Sequence, residues 1–186
     1  MKKAIKEFKP DIVQIYNWHF ATGPIIIRTA KKLNTKVTIN VANYRLLCPS
    51  ATLIYKGKLY LNSIKKKGFP WAAVKLKVYR NSYVLTFWNA FIVFFHYKLG
   101  TWKLVDKYIV PTSGVKNIFT NHHSYIGIAA DKIIVKPNFS TGSGGYSAKR
   151  GRHFLYVGRL SEEKGIQVML DAFKDSPYEL IIAGAG

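Results

Sequence analysis

Near the end of the chain, in "FLYVGRLSEEKGI" (Phe154 to Ile166), two cations bracket a short turn. Arg159 follows Gly158 after an apolar run, and Lys164 precedes Gly165 at the start of a second apolar-periodic segment. In open α/β sheets ligands sit at the carboxyl ends of the strands, where loops lead into helix N-termini whose free N–H groups attract anions. A strand over "HFLYVG" and a helix from Glu162 to Phe173 would put both cations in such a loop. Ser161 suits the N-cap of that helix, with Glu162 and Glu163 in its favourable first turn. An Arg fork and a Lys ammonium about a turn apart can both reach a diphosphate, each contact contributing about 1.5–3 kcal/mol as a charge-assisted hydrogen bond. The spacing equally fits two solvated loop cations. Gly158 and Gly165 favour the phosphate reading, because both permit close backbone approach. The closing "AGAG", with Gly184 and Gly186, fits either a second phosphate or nucleotide loop or a tight strand-to-helix turn.

Other chemistry is sparse. His19 and the pair His122-His123 have no cysteine or carboxylate at metal spacing, so they read as surface or packed histidines and no metal site is expected. No Ser-His-Asp or Cys-His constellation emerges, and the single Cys48 reads as a small buried hydrophobe.

The elements that must position these residues follow from periodicity. "DIVQIY" (Asp11 to Tyr16) is a strand, "GPIIIRTAKKL" (Gly23 to Leu33) a helix with Pro24 near its start, and "TKVTINV" the next strand. Together they form a βαβ unit of a parallel sheet. A looser region follows "NYRLLCPS", with a turn at Lys56-Gly57, the basic patch Lys65-Lys66-Lys67 and a break at Gly68 to Trp71. Ala72 to about Leu99 reads as one or two long helices, either a core helix or an interfacial one touching lipid. "DKYIVPTS" returns to strand, "GVKNIFTNHH" to helix and "DKIIVKPNF" to strand. The Gly/Ser-rich "STGSGGYSAKRGR" (Ser140 to Arg152) reads as a linker, beyond which a second βαβ begins.

Composition narrows the class. Of 186 residues, 48% are hydrophobic and 15% aromatic, enough to bury a core. Twenty-nine Lys plus Arg against nine Asp plus Glu give a net charge of +20, which favours nucleic acid, acidic headgroups or phosphorylated small molecules as partners. The aromatics sit mainly in apolar runs rather than as spaced stacking platforms, which counts against nucleic acid. One cysteine and no leader pattern point to a reducing, cytoplasmic location. The most apolar run, Tyr83 to Phe95, has thirteen residues, short of the roughly 18 a spanning helix needs.

These residues resemble the retaining glycosyltransferases of family 4, which have the GT-B fold of two Rossmann-like domains. "FLYVGRLSEEKGIQVMLDAF" and "YELIIAGAG" resemble the opening of their donor-binding domain. "KPDIVQIYNWHFATGP", "NYRLLCPSATL", "GFPWAAVKLKVYRNS", "LGTWKLVDKYIV" and "VKPNF" resemble the acceptor-side domain of bacterial members that assemble surface polysaccharides. The resemblance implies an α/β chain divided into a partial N-terminal, acceptor-side domain over 1–138, a linker over 139–152, and the start of a C-terminal, nucleotide-sugar domain over 153–186. It implies that Arg159 and Lys164 bind the donor diphosphate, supported by Gly158, Gly165, Gly184 and Gly186, and that Asn43, Tyr44 and Arg45 face the acceptor cleft. No cofactor or divalent metal is implied, the nucleotide-sugar being a co-substrate and the two cations stabilising the leaving group. The implied partners are that donor, a glycan or lipid-linked acceptor and an anionic membrane surface on the cytoplasmic face. Lys65 to Lys103 suits the last of these, pairing basic with interfacial aromatic residues.

Four departures from the family pattern stand out. Ala42 occupies the position of a His near the reacting sugar, and Gln14-Ile15-Tyr16-Asn17 stands where many members have His-x-His-Asn. Tyr60, Ser63 and Val78 stand where several relatives have cysteines. The family's first strands with their Gly-rich loop, and its Glu-x7-Glu segment, have no counterpart here, so the chain is expected to be a fragment with little or no transfer activity by itself. A degenerate, non-catalytic transferase-like module or a basic anion- or nucleic-acid-binding module is the alternative.

Overall fold

The structure, a computed structural model, describes residues 1–16, 18, 23–65, 68–121, 126–139, 142 and 151–186. His19, His122, His123, Asn17, Lys66, Lys67 and most of the expected linker lie outside the described residues, as does the side chain of Ser63. Two compact units emerge: Met1–Tyr55 with Leu59–Phe139, and Ser140–Gly186 together with the short Lys56–Lys58 turn.

The first unit opens with α1 (Lys2–Phe8), β1 (Ile12–Ile15), α2 (Ile25–Lys32) and β2 (Lys36–Asn40). A hairpin of β3 (Ile54–Tyr55) and β4 (Lys58–Leu59) turns at Lys56-Gly57, both left-handed, as a two-residue hairpin turn requires. The short helices α3 (Asn62–Lys65) and α4 (Trp71–Lys75) lead to the long α5 (Tyr83–Lys98). A 3-10 turn at Thr101–Leu104, β5 (Lys107–Val110), α6 (Ser113–Asn121) and β6 (Ile133–Val135) complete the unit. β1, β2, β5 and β6 make a parallel sheet in that order, with Ile39 paired to both Ile15 and Tyr108.

Alternation along the strands sends one set of side chains inward. Val37 and Ile39 of β2, Tyr108 and Val110 of β5 and Ile133 of β6 are buried against Ile27 and Ala30 of α2, whose 3–4 spacing makes an apolar stripe. Gln14, Thr38, Asn40, Ile109 and Ile134 lie on the other face and stay partly or fully exposed. At the amino ends of β2 and β5, Asp106 ties three elements together. Its carboxylate accepts from Lys31 Nζ at 2.9 Å through both oxygens and from the Val37 N–H at 2.7 Å. Burial opposes the charge of Asp106, but these donors outweigh it and hold the carboxyl below its usual range.

The 72–99 region forms two helices, and its long helix is turned in an unusual way. Ser82 caps α5, accepting from the Leu85 N–H, and the preceding Lys77, Arg80 and Asn81 are all left-handed. Buried Thr86 holds that junction by accepting from the Tyr79 N–H at 3.1 Å and donating to the Ser82 carbonyl at 2.6 Å. Thr86, Asn89, Ala90 and Val93 face inward, while Val84, Trp88, Phe91 and Phe95 face outward. Trp102 anchors the far end, its indole N–H donating to the Val93 carbonyl, and Tyr108 donates to the Trp102 carbonyl at 2.7 Å. Arg28 of α2 donates to the Leu99 carbonyl, setting a cation at the C-terminus of α5, where the helix dipole favours it.

The second unit is a parallel pair, β7 (His153–Val157) and β8 (Glu179–Ala183), with α7 (Ile166–Phe173) between them in sequence. The sequence reading starts the helix at Glu162. Here a 3-10 turn spans Glu162–Lys164 and left-handed Gly165 (φ 68°) separates it from α7, so Ser161 bounds the 3-10 turn and its side chain forms no cap bond.

Candidate functional site

Each unit carries its own candidate site at the carboxyl ends of its strands. In the first, an open cleft of about 490 Å³ is lined by Gln14, Tyr16, Asn40, Ile109, Lys136 and Asn138, among others. An overlapping recess of about 170 Å³ adds Ala42 and Pro111. These side chains meet because each stands at or just beyond the end of a parallel strand: Tyr16 after β1, Asn40 and Ala42 at the end of β2, Pro111 after β5, Lys136 after β6. Gln14 donates to Asn40 Oδ1 at 2.7 Å across β1 and β2, fixing two amides on the cleft wall. With Lys136 they offer hydrogen bonds and one positive charge to a hydroxyl-rich or anionic ligand. A larger depression of about 690 Å³ lies at the amino ends, around Lys9, Asp11, Asn34 and Lys36, away from where loops lead out of the strands.

The segment expected to face the acceptor divides. Ala42 is exposed and contributes to the recess, whereas Asn43 is half-buried and its Oδ1 accepts from the Arg45 N–H at 3.0 Å. Tyr44, also half-buried, stacks on Phe119 at 6.4 Å. Arg45 turns inward: it is 6% exposed, donates to the Pro49 carbonyl at 3.3 Å and lies 5.0 Å from the Tyr79 ring centroid. Burial pulls its guanidinium below the usual arginine range. Beside it, a recess of about 20 Å³ has room for one water. Arg45 therefore braces the Asn43–Ala51 loop from within.

In the second unit Arg159 leaves the carboxyl end of β7 and Lys164 ends the 3-10 turn before α7, so both belong to one strand-to-helix connection. Both are exposed. The Arg159 guanidinium lies 3.3 Å from Glu163, and its carbonyl accepts from the Tyr156 hydroxyl at 2.9 Å. Beyond the strands the backbones stay paired: the Gly158 N–H donates to the Ala183 carbonyl and the Leu160 N–H to the Ala185 carbonyl, each at 3.0 Å. A Cβ on Gly184 would overlap the Gly158 carbonyl oxygen, and one on Gly186 the Leu160 carbonyl oxygen. Glycine at 184 and 186 is thus what allows the two loops to run backbone to backbone and present Arg159 outward.

Asn40 and Lys136 of the first cleft belong to no site motif in the sequence, and Gln14 stands out there only as a departure from the family pattern. Their signal was positional, a polar side chain at the end of each apolar strand run, and it carries meaning only once the strands are known to be parallel neighbours. Among the described residues no three His, Cys, Asp or Glu side chains form a metal-binding group. No protein-family model matches the chain, and no curated protein matches it. The fold is mixed α/β with a four-stranded parallel sheet, consistent with a Rossmann-like architecture.

Proposed function

We propose that the chain is part of a retaining, GT-B-type glycosyltransferase that moves a sugar from a nucleotide-diphosphate sugar to a lipid-linked or polysaccharide acceptor. The observation that carries the reading is the β7–α7 connection, where exposed Arg159 and Lys164 bracket a turn at the carboxyl edge of a parallel strand pair. Two exposed cations on one connection can neutralise a diphosphate and stabilise it as it departs, with no divalent metal required. Arg159 exchanges its Glu163 partner for a phosphate oxygen, an inexpensive exchange because the guanidinium is largely solvated. The first unit supplies the acceptor side, its cleft offering the Gln14–Asn40 amides and Lys136 to sugar hydroxyls and acidic groups.

Ala42 favours a second reading, a transferase-like module that binds donor without turning it over. Its methyl side chain lies in the wall of the recess and can neither move a proton nor hydrogen-bond a sugar. Thermal-shift measurements with a panel of nucleotide-sugars test the shared part. Both readings require stabilisation by at least one nucleotide-sugar and its loss in Arg159→Ala and Lys164→Ala. Sugar transfer by the stabilised protein selects the enzyme, and binding without transfer selects the module. Mutants that shift as much as the parent would remove the basis of both.

A further inference from the structure

The long helix α5 is inverted relative to an ordinary surface helix. Its inward face carries Thr86, Asn89, Ala90 and Val93, and its outward face runs Val84, Trp88, Phe91, Phe95 at helical spacing and ends in Lys98. Val84 is 76% exposed and Trp88 57%. Trp71 of α4, also 57% exposed, extends the patch by packing 6.1 Å from Phe87. A soluble surface rarely leaves such a contiguous aromatic face in water without a partner for it.

The fringe identifies the partner. Lys77 Nζ lies 4.4 Å from the Tyr83 ring centroid, Lys98 Nζ lies 5.4 Å from that of Phe94, and the Arg80 guanidinium lies 5.5 Å from that of Tyr79. Lys75 follows Trp71 by one helical turn. No Asp or Glu occurs anywhere between Asp11 and Asp106. A second copy docked symmetrically on this face would set cations against cations with no carboxylate to pair them. Nucleic acid needs free ring faces, and here Phe87, Phe91 and Phe95 stack on one another at 5.6–5.9 Å, with Trp88 stacked on Phe91 at 6.0 Å. An aromatic face with Lys77, Arg80 and Lys98 beside it, on a stretch of chain without a carboxylate, is complementary to an anionic lipid surface.

We propose that the outward face of α5, together with Trp71, is a docking surface for membranes containing anionic lipid. Val84, Trp88, Phe91 and Phe95 enter the boundary between headgroups and acyl chains, and Lys77, Arg80 and Lys98 meet the lipid phosphates. Among the described residues no helix is long and apolar enough to cross a membrane, so this contact lies in the plane of the interface. The surface uses no part of the donor site and stands whether or not the chain transfers sugar.

The test is flotation of the full chain with phosphatidylcholine vesicles, with and without phosphatidylglycerol, paired with quenching of tryptophan emission by brominated acyl chains. Expected are recovery with the anionic vesicles that falls with salt, and quenching on binding. Each of Lys77→Gln, Arg80→Gln and Lys98→Gln should weaken binding about fivefold. Val84→Ser/Trp88→Ser, at exposed positions where the fold tolerates change, should weaken it about tenfold or more. Equal recovery with neutral and anionic vesicles, or binding without quenching in the parent chain, would overturn the proposal. So would lipid-free self-association abolished by Val84→Ser/Trp88→Ser, or tighter binding to a single-stranded oligonucleotide than to anionic vesicles.

Discussion

Replacing Asp106 by Asn keeps the shape of the side chain and removes the charge that links α2, β2 and β5. In the parent, Lys31 reaches both carboxylate oxygens at 2.9 Å and the Val37 N–H reaches one at 2.7 Å. Asn can still accept from Val37, so the loss falls on the Lys31 arm. A charge-assisted bond contributes about 1.5–3 kcal/mol when shielded. The Lys31 and Asp106 side chains are 30% and 37% exposed, and screening by solvent brings the expected cost to about 1–2 kcal/mol. That corresponds to a fall in the melting temperature of the first unit of about 2–8 °C. Because the folded carboxyl is held below its ordinary value, its contribution is complete above the unfolded pKa of about 3.9 and disappears as pH falls through the lower folded value. Urea unfolding at neutral pH and at successively lower pH should show the gap between parent and variant steady down to about pH 5, then closing. A variant as stable as the parent at neutral pH, or a gap that persists undiminished in acid, would refute this account of how the sheet is fastened to α2.

Two further substitutions examine a buried hydrogen bond of the first unit and a glycine contact of the second. Tyr108→Phe strands the buried Trp102 carbonyl, which now accepts from the Tyr108 hydroxyl at 2.7 Å, and should cost about 1–3 kcal/mol in urea unfolding. Burial pushes that phenol far above its ordinary range, so the cost should stay constant from pH 6 to 9, an interval of about 3 units well below titration. Gly184→Ala drives a methyl group into the Gly158 carbonyl and should cost the second unit about 1–3 kcal/mol. Hydrogen exchange at the Gly158 and Leu160 amides should then accelerate by about tenfold or more, and unchanged exchange would show that the loops are not held backbone to backbone.

The strands of the two parallel sheets were legible from sequence because each is a short β-rich run bounded by turn residues, and "DIVQIY", "TKVTINV", "DKYIV", "HFLYV" and "YELIIA" all contain strands of the structure. The turn at Lys56-Gly57 was legible too, but the two-residue strands β3 and β4 on either side of it were not. Orientation was not. Tyr83 to Lys98 is apolar on every side, so periodicity could not tell which residues face inward, and tertiary contacts chose the smaller Thr86, Asn89 and Ala90. Arg45 is a cation in a loop, and only the fold reveals that it turns in beside Tyr79. The helix boundary at Gly165 was misplaced because the acidic Glu162-Glu163 pair suits a helical first turn and a 3-10 turn alike. The cleft residues Gln14, Asn40 and Lys136 lie far apart in sequence and meet only through the order of parallel strands.

The proposed diphosphate site at Arg159 and Lys164 can be probed by calorimetric titration of the chain with nucleoside diphosphates, with the corresponding nucleosides as controls. Expected is binding of a diphosphate but not of its nucleoside, with Arg159→Ala and Lys164→Ala each weakening it at least about tenfold, the loss of one charge-assisted bond. Equal affinity in parent and both variants, or equal affinity for nucleoside and nucleoside diphosphate, would contradict it.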